Sequence, residues 1–203
     1  MNHGITNLIH ECEDILGIKF TEEHFNNIEK YYNFLSEWNK KINLISRKSE
    51  IPVLKNSLLE AYSLYEVLQY EEGVFLDVGT GGGLPGMLIA CLMPDVKIDL
   101  LDATRKKTVF LQLAIDELNF ENVSVINGRL EELSKKDYDD KYDIVFTRGV
   151  GNFKVITPHL LRVINETGSV YILTGEDNGE FFKNYQIFEN PYLDTRIIVH
   201  LEK

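Results

Sequence analysis

The chain has 203 residues, 44% hydrophobic and 26% charged, which is enough to bury one sizeable core in an ordinary water-soluble protein. Its 32 acidic against 21 basic side chains give a formal net charge of −11. That total argues against a nucleic-acid binder, because neutralising phosphates needs clustered Lys and Arg.

The N-terminal Met1-Asn2-His3-Gly4 lacks a basic stretch leading into an apolar run, so no targeting segment is expected. Ile5, Leu8, Ile9, Cys12 and Leu16 follow the three-and-four spacing of an amphipathic helix that Gly17 stops. Thr21 is a candidate N-cap for a second helix with Phe25, Ile28, Tyr32, Leu35 and Trp38 on one face. A polar, basic connection leads to a third helix near Pro52, with Leu54, Leu58, Ala61, Tyr65 and Leu68 aligned. Residues 1–70 thus read as an all-helical extension.

After Glu71-Glu72-Gly73 the pattern changes, and residues 71–203 read as alternating strands and helices. Val74–Val78 suits a buried parallel strand, followed by a helix from Leu84 to Met93 that Pro94 stops. Lys97–Asp102 is the second strand, and Lys106–Leu118 the second helix, with Val109, Phe110, Leu113 and Leu118 expected inward. Val123–Ile126 and Tyr142–Thr147 are further strands, separated by a charged loop at Asp137–Lys141. A helix over Phe153–Ile164 precedes a strand at Gly168–Leu173, and Arg196–Leu201 closes the chain, paired with Tyr185–Phe188. This predicts a Rossmann-like α/β fold: a mainly parallel seven-stranded sheet, helices on both faces, and ligands beyond the carboxyl ends of the strands.

The longest uncharged apolar stretch, Gly81 to Pro94, holds four glycines and two prolines and is too short to span a bilayer. Cys12 and Cys91 lie among apolar residues at helical spacing and read as small core residues in a reducing compartment. A cytoplasmic protein with no membrane partner and no metal is expected.

The candidate chemistry lies at strand ends. Asp77-Val78-Gly79-Thr80-Gly81-Gly82-Gly83 places glycines where the backbone can approach a ligand without an intervening side chain. Asp77 can order this loop or meet a ligand amino group. Asp102 ends the second strand, where dinucleotide folds place a ribose-binding acid, although it can equally cap the helix beginning near Thr104. The third glycine comes one residue earlier than in Gly-x-Gly-x-x-Gly, which with Asp77 favours S-adenosylmethionine over a nicotinamide cofactor. No Gly-Lys-Ser/Thr follows, so a phosphate loop is excluded. The backbone near Leu130 and Glu131 borders the place where an adenine would sit in this architecture. Arg148 ends the fourth strand, facing the expected methyl-donor pocket, and reads as a contact to a cofactor carboxylate or a substrate phosphate. Against the overall acidity, Lys40, Lys41, Arg47 and Lys48, with Arg105, Lys106 and Lys107, can form a local basic face for RNA; solvated helix ends explain them equally well.

These residues resemble one family closely. The run Asp77 to Gly86, Leu100-Leu101-Asp102 followed by Lys106-Lys107 and Phe110-Leu111, the Gly128-Arg129-x-Glu131-Glu132 segment and Thr147-Arg148 are similar to ribosomal RNA small-subunit methyltransferase G, also called glucose-inhibited division protein B. Trp38-Asn39-Lys40, Asn43-Leu44 and Arg196 to Lys203 extend the likeness over nearly the whole chain. The resemblance implies methyl transfer from S-adenosylmethionine to a guanine N7 of small-subunit (16S) ribosomal RNA. By position it implies cofactor contacts at Gly79, Leu84, Leu130, Glu131 and Arg148, with the ribosomal subunit or its RNA as partner.

The chain departs from the family pattern in places. Where His followed three residues later by Asp-Ser is usual, it reads Asn56-Ser57-Leu58-Leu59-Glu60. Gly149 replaces the alanine usual after the fourth-strand Arg, and Thr174-Gly175 replaces Lys-Gly. The cofactor half is intact and the substrate half altered. A methyltransferase of a small molecule or protein, or a non-catalytic S-adenosylmethionine-binding module in ribosome assembly, therefore stands as the alternative.

Overall fold

The computed structural model describes residues 3–149 and 151–203; Met1 and Asn2, half of the stretch read for a targeting signal, lie outside them. Three helices come first: α1 (His3–Leu16), α2 (Glu22–Asn39) and α3 (Glu50–Leu68). The chain leaves α1 through Gly17 at φ +68°, a left-handed geometry that favours glycine. Thr21 caps α2, its hydroxyl accepting from the His24 amide at 3.1 Å. Pro52 falls in the first turn of α3, where its missing N–H leaves no bond unmade.

The remainder alternates β1 (Val74–Val78), α4 (Gly86–Leu92), β2 (Lys97–Asp102), α5 (Arg105–Leu118), β3 (Val123–Asn127), α6 (Lys135–Tyr138), β4 (Tyr142–Arg148), α7 (Phe153–Val163) and β5 (Ile164–Gly175). Two strands, β6 (Gln186–Glu189) and β7 (Arg196–Glu202), complete it. The sheet order is β3-β2-β1-β4-β5-β7-β6. The first five strands of that order run parallel, and β7 pairs antiparallel with both β5 and β6. Strand order reverses between β1 and β4, which opens a crevice at their carboxyl ends. This is the Rossmann-like fold the alternation implied.

Alternate residues of each strand feed two cores. Phe75, Leu100, Ile144 and Phe146 pack under α1 to α5, whereas Leu76, Leu101, Val145 and Ile172 pack against α7. The N-terminal helices share the first of these cores: Phe34 and Trp38 of α2 meet Phe110 of α5 at ring separations of 5.8 and 6.2 Å. Helix α4 is buried along its whole length, which accounts for its uniformly apolar sequence. Both cysteines are buried and unpaired by disulfide.

Several local expectations change, among them the fifth strand, which starts at Ile164 rather than Gly168 and runs to Gly175. Val109 and Leu113 of α5 are exposed; Phe110, Leu111, Ala114, Ile115 and Leu118 form the inward stripe, because α5 rests on the sheet by its 110/114/118 face. Helix α4 begins at Gly86, two residues later than expected, since the glycine loop extends through Pro85. The charged segment after β3 includes the short α6. Among the described residues, no helix is long and apolar enough to cross a membrane, and no group of three or more His, Cys, Asp or Glu could hold a metal.

Candidate functional site

The loop after β1 is held from three sides. From the sheet, the Gly79 and Thr80 amides donate to the Leu101 carbonyl at 2.8 and 3.1 Å. From β1 itself, Asp77 Oδ2 accepts from the Gly86 amide at 2.9 Å, tying the loop's far end back to its start. From the helical layer, the Tyr31 hydroxyl donates to the Gly82 carbonyl. A Cβ on Gly83 would come within 2.5 Å of that hydroxyl, and one on Gly86 within 2.5 Å of both Asp77 Oδ2 and Leu100 Cδ2. Gly79, Gly81 and Gly83 all lie at positive φ. The glycines are therefore fixed by close approach and by backbone geometry.

Asp77 is completely buried, and burial pushes its carboxyl up to about 6, with the Gly86 N–H acting in the opposite direction. Of the two roles open to it in the sequence, the observed contact is the loop-ordering one.

Asp102 serves two backbones. Its Oδ2 accepts from the Gly81 amide at 3.0 Å and its Oδ1 from the Thr104 amide at 2.7 Å, with Lys107 Nζ 3.8 Å from Oδ2. The Thr104 amide belongs to the N-cap residue, ahead of the first turn of α5, so Asp102 closes the turn leading into that helix rather than capping it, and is also tied directly to the glycine loop. Asp102 also lines a cavity of about 220 Å³ with Gly79, Leu130, Glu131, Gly151 and Ile156. Leu130 and Glu131 lie in a short 3-10 turn, Leu130 buried and Glu131 exposed, and Arg162 Nη2 donates to the Leu130 carbonyl at 3.0 Å. Gly81 and Leu84, also expected as cofactor contacts, do not line this cavity. The cavity pairs a carboxylate acceptor and glycine backbone with the apolar Leu130 and Ile156, chemistry that suits ribose hydroxyls and a flat base.

A larger cavity, about 580 Å³, lies beside it at the ends of β4 and β5 and shares Gly151 with the first. Arg148 lines it together with Glu60, Thr174, Asn178 and Arg196. Asn56, Glu60, Gly149 and Thr174, four of the five positions that depart from the family pattern, border this one cavity; the fifth, Leu59, does not line it. Arg148 is not solitary there: Nη1 donates to Glu60 Oε2 at 2.7 Å and to Ser57 Oγ at 2.8 Å. Glu60, Ser57, Arg196 and Tyr31 were not singled out as site residues from the sequence. The available signal was Glu60 itself, an acid on an apolar helix face.

The two basic groups come to the same end of the molecule. The Trp38–Phe110 contact sets the end of α2 beside the start of α5. Lys41 Nζ sits 4.6 Å from the Trp38 ring centre, and Arg47 Nε donates to the Asn39 carbonyl at 2.7 Å. Lys40, Lys48, Arg105 and Lys106 are exposed. Leu44 and Ile45 of the intervening connection approach Gly82, and Lys107 approaches Gly81, so both groups flank the glycine loop.

Comparison with known proteins places this arrangement. The family described as rRNA small subunit methyltransferase G matches residues 24–187. The ribosomal RNA small subunit methyltransferase G of Fusobacterium nucleatum is 37% identical over 153 residues, covering 75% of this chain and 66% of that protein. Its counterpart in Clostridium botulinum strain Okra is 31% identical over 166 residues, covering 81% and 69%. The chain thus spans about two thirds of the length of the curated relatives it matches. Among solved structures, a putative S-adenosyl-L-methionine-dependent methyltransferase from Methanococcus maripaludis superposes with a TM-score of 0.61 at 15% identity, covering 91% of this chain and 96% of that one. A SAM-dependent methyltransferase from Aquifex aeolicus gives 0.59 at 14% identity, covering 83% and 96%. At such identities these two likenesses concern the fold.

Proposed function

The chain belongs to the rRNA small subunit methyltransferase G family, and on that premise we propose that it is a cytoplasmic S-adenosylmethionine-dependent methyltransferase acting on a guanine N7 of small-subunit (16S) ribosomal RNA. The observation that carries the reading is the pair of cavities meeting at Gly151, one lined by Asp102 and the glycine loop, the other by Arg148.

The smaller cavity fits the methyl donor by the chemistry of its lining. Gly79 would form part of its floor, with Gly81 and Leu84 in the loop that continues from it, and Asp102 would accept from the ribose hydroxyls. Leu130 and Glu131 would border the adenine, with Asp77 holding the loop from beneath. Arg148, in the wall of the larger cavity, would bind an anionic group of the cofactor or the RNA. When bound, S-adenosylmethionine supplies a methyl group on a sulfonium that is already a good leaving group.

Guanine N7 carries an in-plane lone pair, so the target needs no strong base to strip a proton. The protein's contribution is then to hold the base in line and to keep the local charge complementary. Lys40, Lys41, Arg47, Lys48, Arg105, Lys106 and Lys107 would meet backbone phosphates from the face that flanks the loop. This local face lets an acidic protein engage RNA.

The test is transfer of a labelled methyl group from S-adenosylmethionine to purified small ribosomal subunits. Label in an RNA-derived 7-methylguanosine is expected. Label recovered only in protein or small molecules moves the reading to another substrate, and donor binding without transfer moves it to a non-catalytic module.

A further inference from the structure

Glu60 lies midway along α3, flanked by the buried Leu58, Leu59, Ala61 and Leu64, and its side chain is only 4% exposed. A carboxylate this deep is costly unless paired. Each of its oxygens meets one guanidinium: Oε2 takes Arg148 Nη1 at 2.7 Å, and Oε1 takes Arg196 Nε at 3.1 Å. One side chain thereby joins α3, the end of β4 and the start of β7 on the wall of the larger cavity.

The bonds within Arg148 are unevenly distributed. Nη1 is engaged twice, by Glu60 and by Ser57, both on α3. Among the described residues, its Nε and Nη2 have no protein acceptor. A guanidinium is planar, so anchoring Nη1 at two points fixes the plane and leaves the remaining N–H groups for a ligand.

We propose that Glu60 is the positioning residue of this site: it holds Arg148 in the orientation that receives one oxyanion, and acts on the ligand only through Arg148. The oxyanion is a carboxylate of the methyl donor or a phosphodiester of the RNA, so the proposal rests on the methyl-transfer reading. Ser57 supports the same orientation with a neutral bond.

The experiment uses full-length wild type, Glu60→Gln, Ser57→Ala and Arg148→Met, and the doubles that combine each α3 variant with Arg148→Met. Calorimetric titration with S-adenosylhomocysteine reads the cofactor arm, and KM and kcat on small subunits read the RNA arm. Glu60→Gln is expected to weaken one arm about tenfold while kcat changes less, the scale of one lost charge-assisted bond. Weaker S-adenosylhomocysteine binding assigns the carboxylate; a raised KM for subunits with unchanged S-adenosylhomocysteine binding assigns the phosphate. Ser57→Ala, the milder variant should Glu60→Gln fail to fold, is expected to shift the same arm two- to threefold. In the Arg148→Met background neither is expected to add more than twofold. Losses that multiply in that background, or single variants with wild-type binding and KM, overturn the proposal. A wild-type protein that neither binds S-adenosylhomocysteine nor transfers methyl overturns the functional reading as well, and so is told apart from failure of the proposal alone.

Discussion

Asp102 Oδ2 accepts a hydrogen bond from the Gly81 amide at 3.0 Å, so the acid ending β2 is fastened to the loop that follows β1. The two features that suggested a methyl-donor site are therefore one mechanical unit. Asp102→Ala breaks this bond together with the one from the Thr104 amide. Loss of two hydrogen bonds to a charged group is expected to cost about 2 kcal/mol or more of stability. S-adenosylhomocysteine, which should raise the melting temperature of the wild type, should barely raise that of the variant; thermal denaturation with and without it checks this.

Gly86 tests the packing beneath the loop. An alanine Cβ there would lie 2.5 Å from Asp77 Oδ2 and from Leu100 Cδ2, both in the interior. Gly86→Ala is expected to lose about 1–3 kcal/mol, as overpacked core positions do. Gly151→Ala meets nothing within 4 Å and should stay close to wild type in chemical denaturation.

Asp77 gives the fold a pH signature. Burial raises its carboxyl from 3.8 to about 6, so the folded protein holds this proton more tightly than the unfolded chain. The stability gained from the protonated form is complete below pH 3.8 and is lost as pH rises through about 6. Asp77→Asn removes the titration. Relative to wild type, the variant should gain about 1 kcal/mol between pH 5 and pH 7.5 in urea denaturation. A difference that stays flat or falls contradicts the assignment.

These residues also mark how far the sequence could be read. The bounds of β1 and β2 were legible because strands buried on both faces are continuous apolar runs closed by glycine or a charged turn. The loop was legible because its glycines encode its backbone directly. The tie between Asp102 and Gly81 was not, since an acid at a strand end looks alike whether it caps a helix, binds a ribose or holds a loop. Glu60 and Arg148 are 88 residues apart in sequence, and only the sheet order with α3 laid across it brings them together. Val109 and Leu113 misled because apolar side chains also occupy the exposed edge of a helix, where only tertiary packing decides which stripe turns inward.

The basic face carries its own prediction. Lys40 and Lys106 are exposed on the two segments that flank the loop. Lys40→Glu combined with Lys106→Glu should weaken binding to small-subunit RNA and reduce the slope of log K against log salt by about 2, roughly 0.9 for each lost phosphate contact. S-adenosylhomocysteine affinity should be unchanged. Filter binding over a salt series checks the first statement and calorimetry the second.

Methyl transfer to small-subunit RNA is tested most directly in cells that lack this protein, by mass spectrometry of nucleosides from their small-subunit rRNA. One 7-methylguanosine per 16S molecule is expected to disappear, and to return when the wild-type chain, but not Asp102→Ala, is restored. An unchanged 7-methylguanosine content would contradict it.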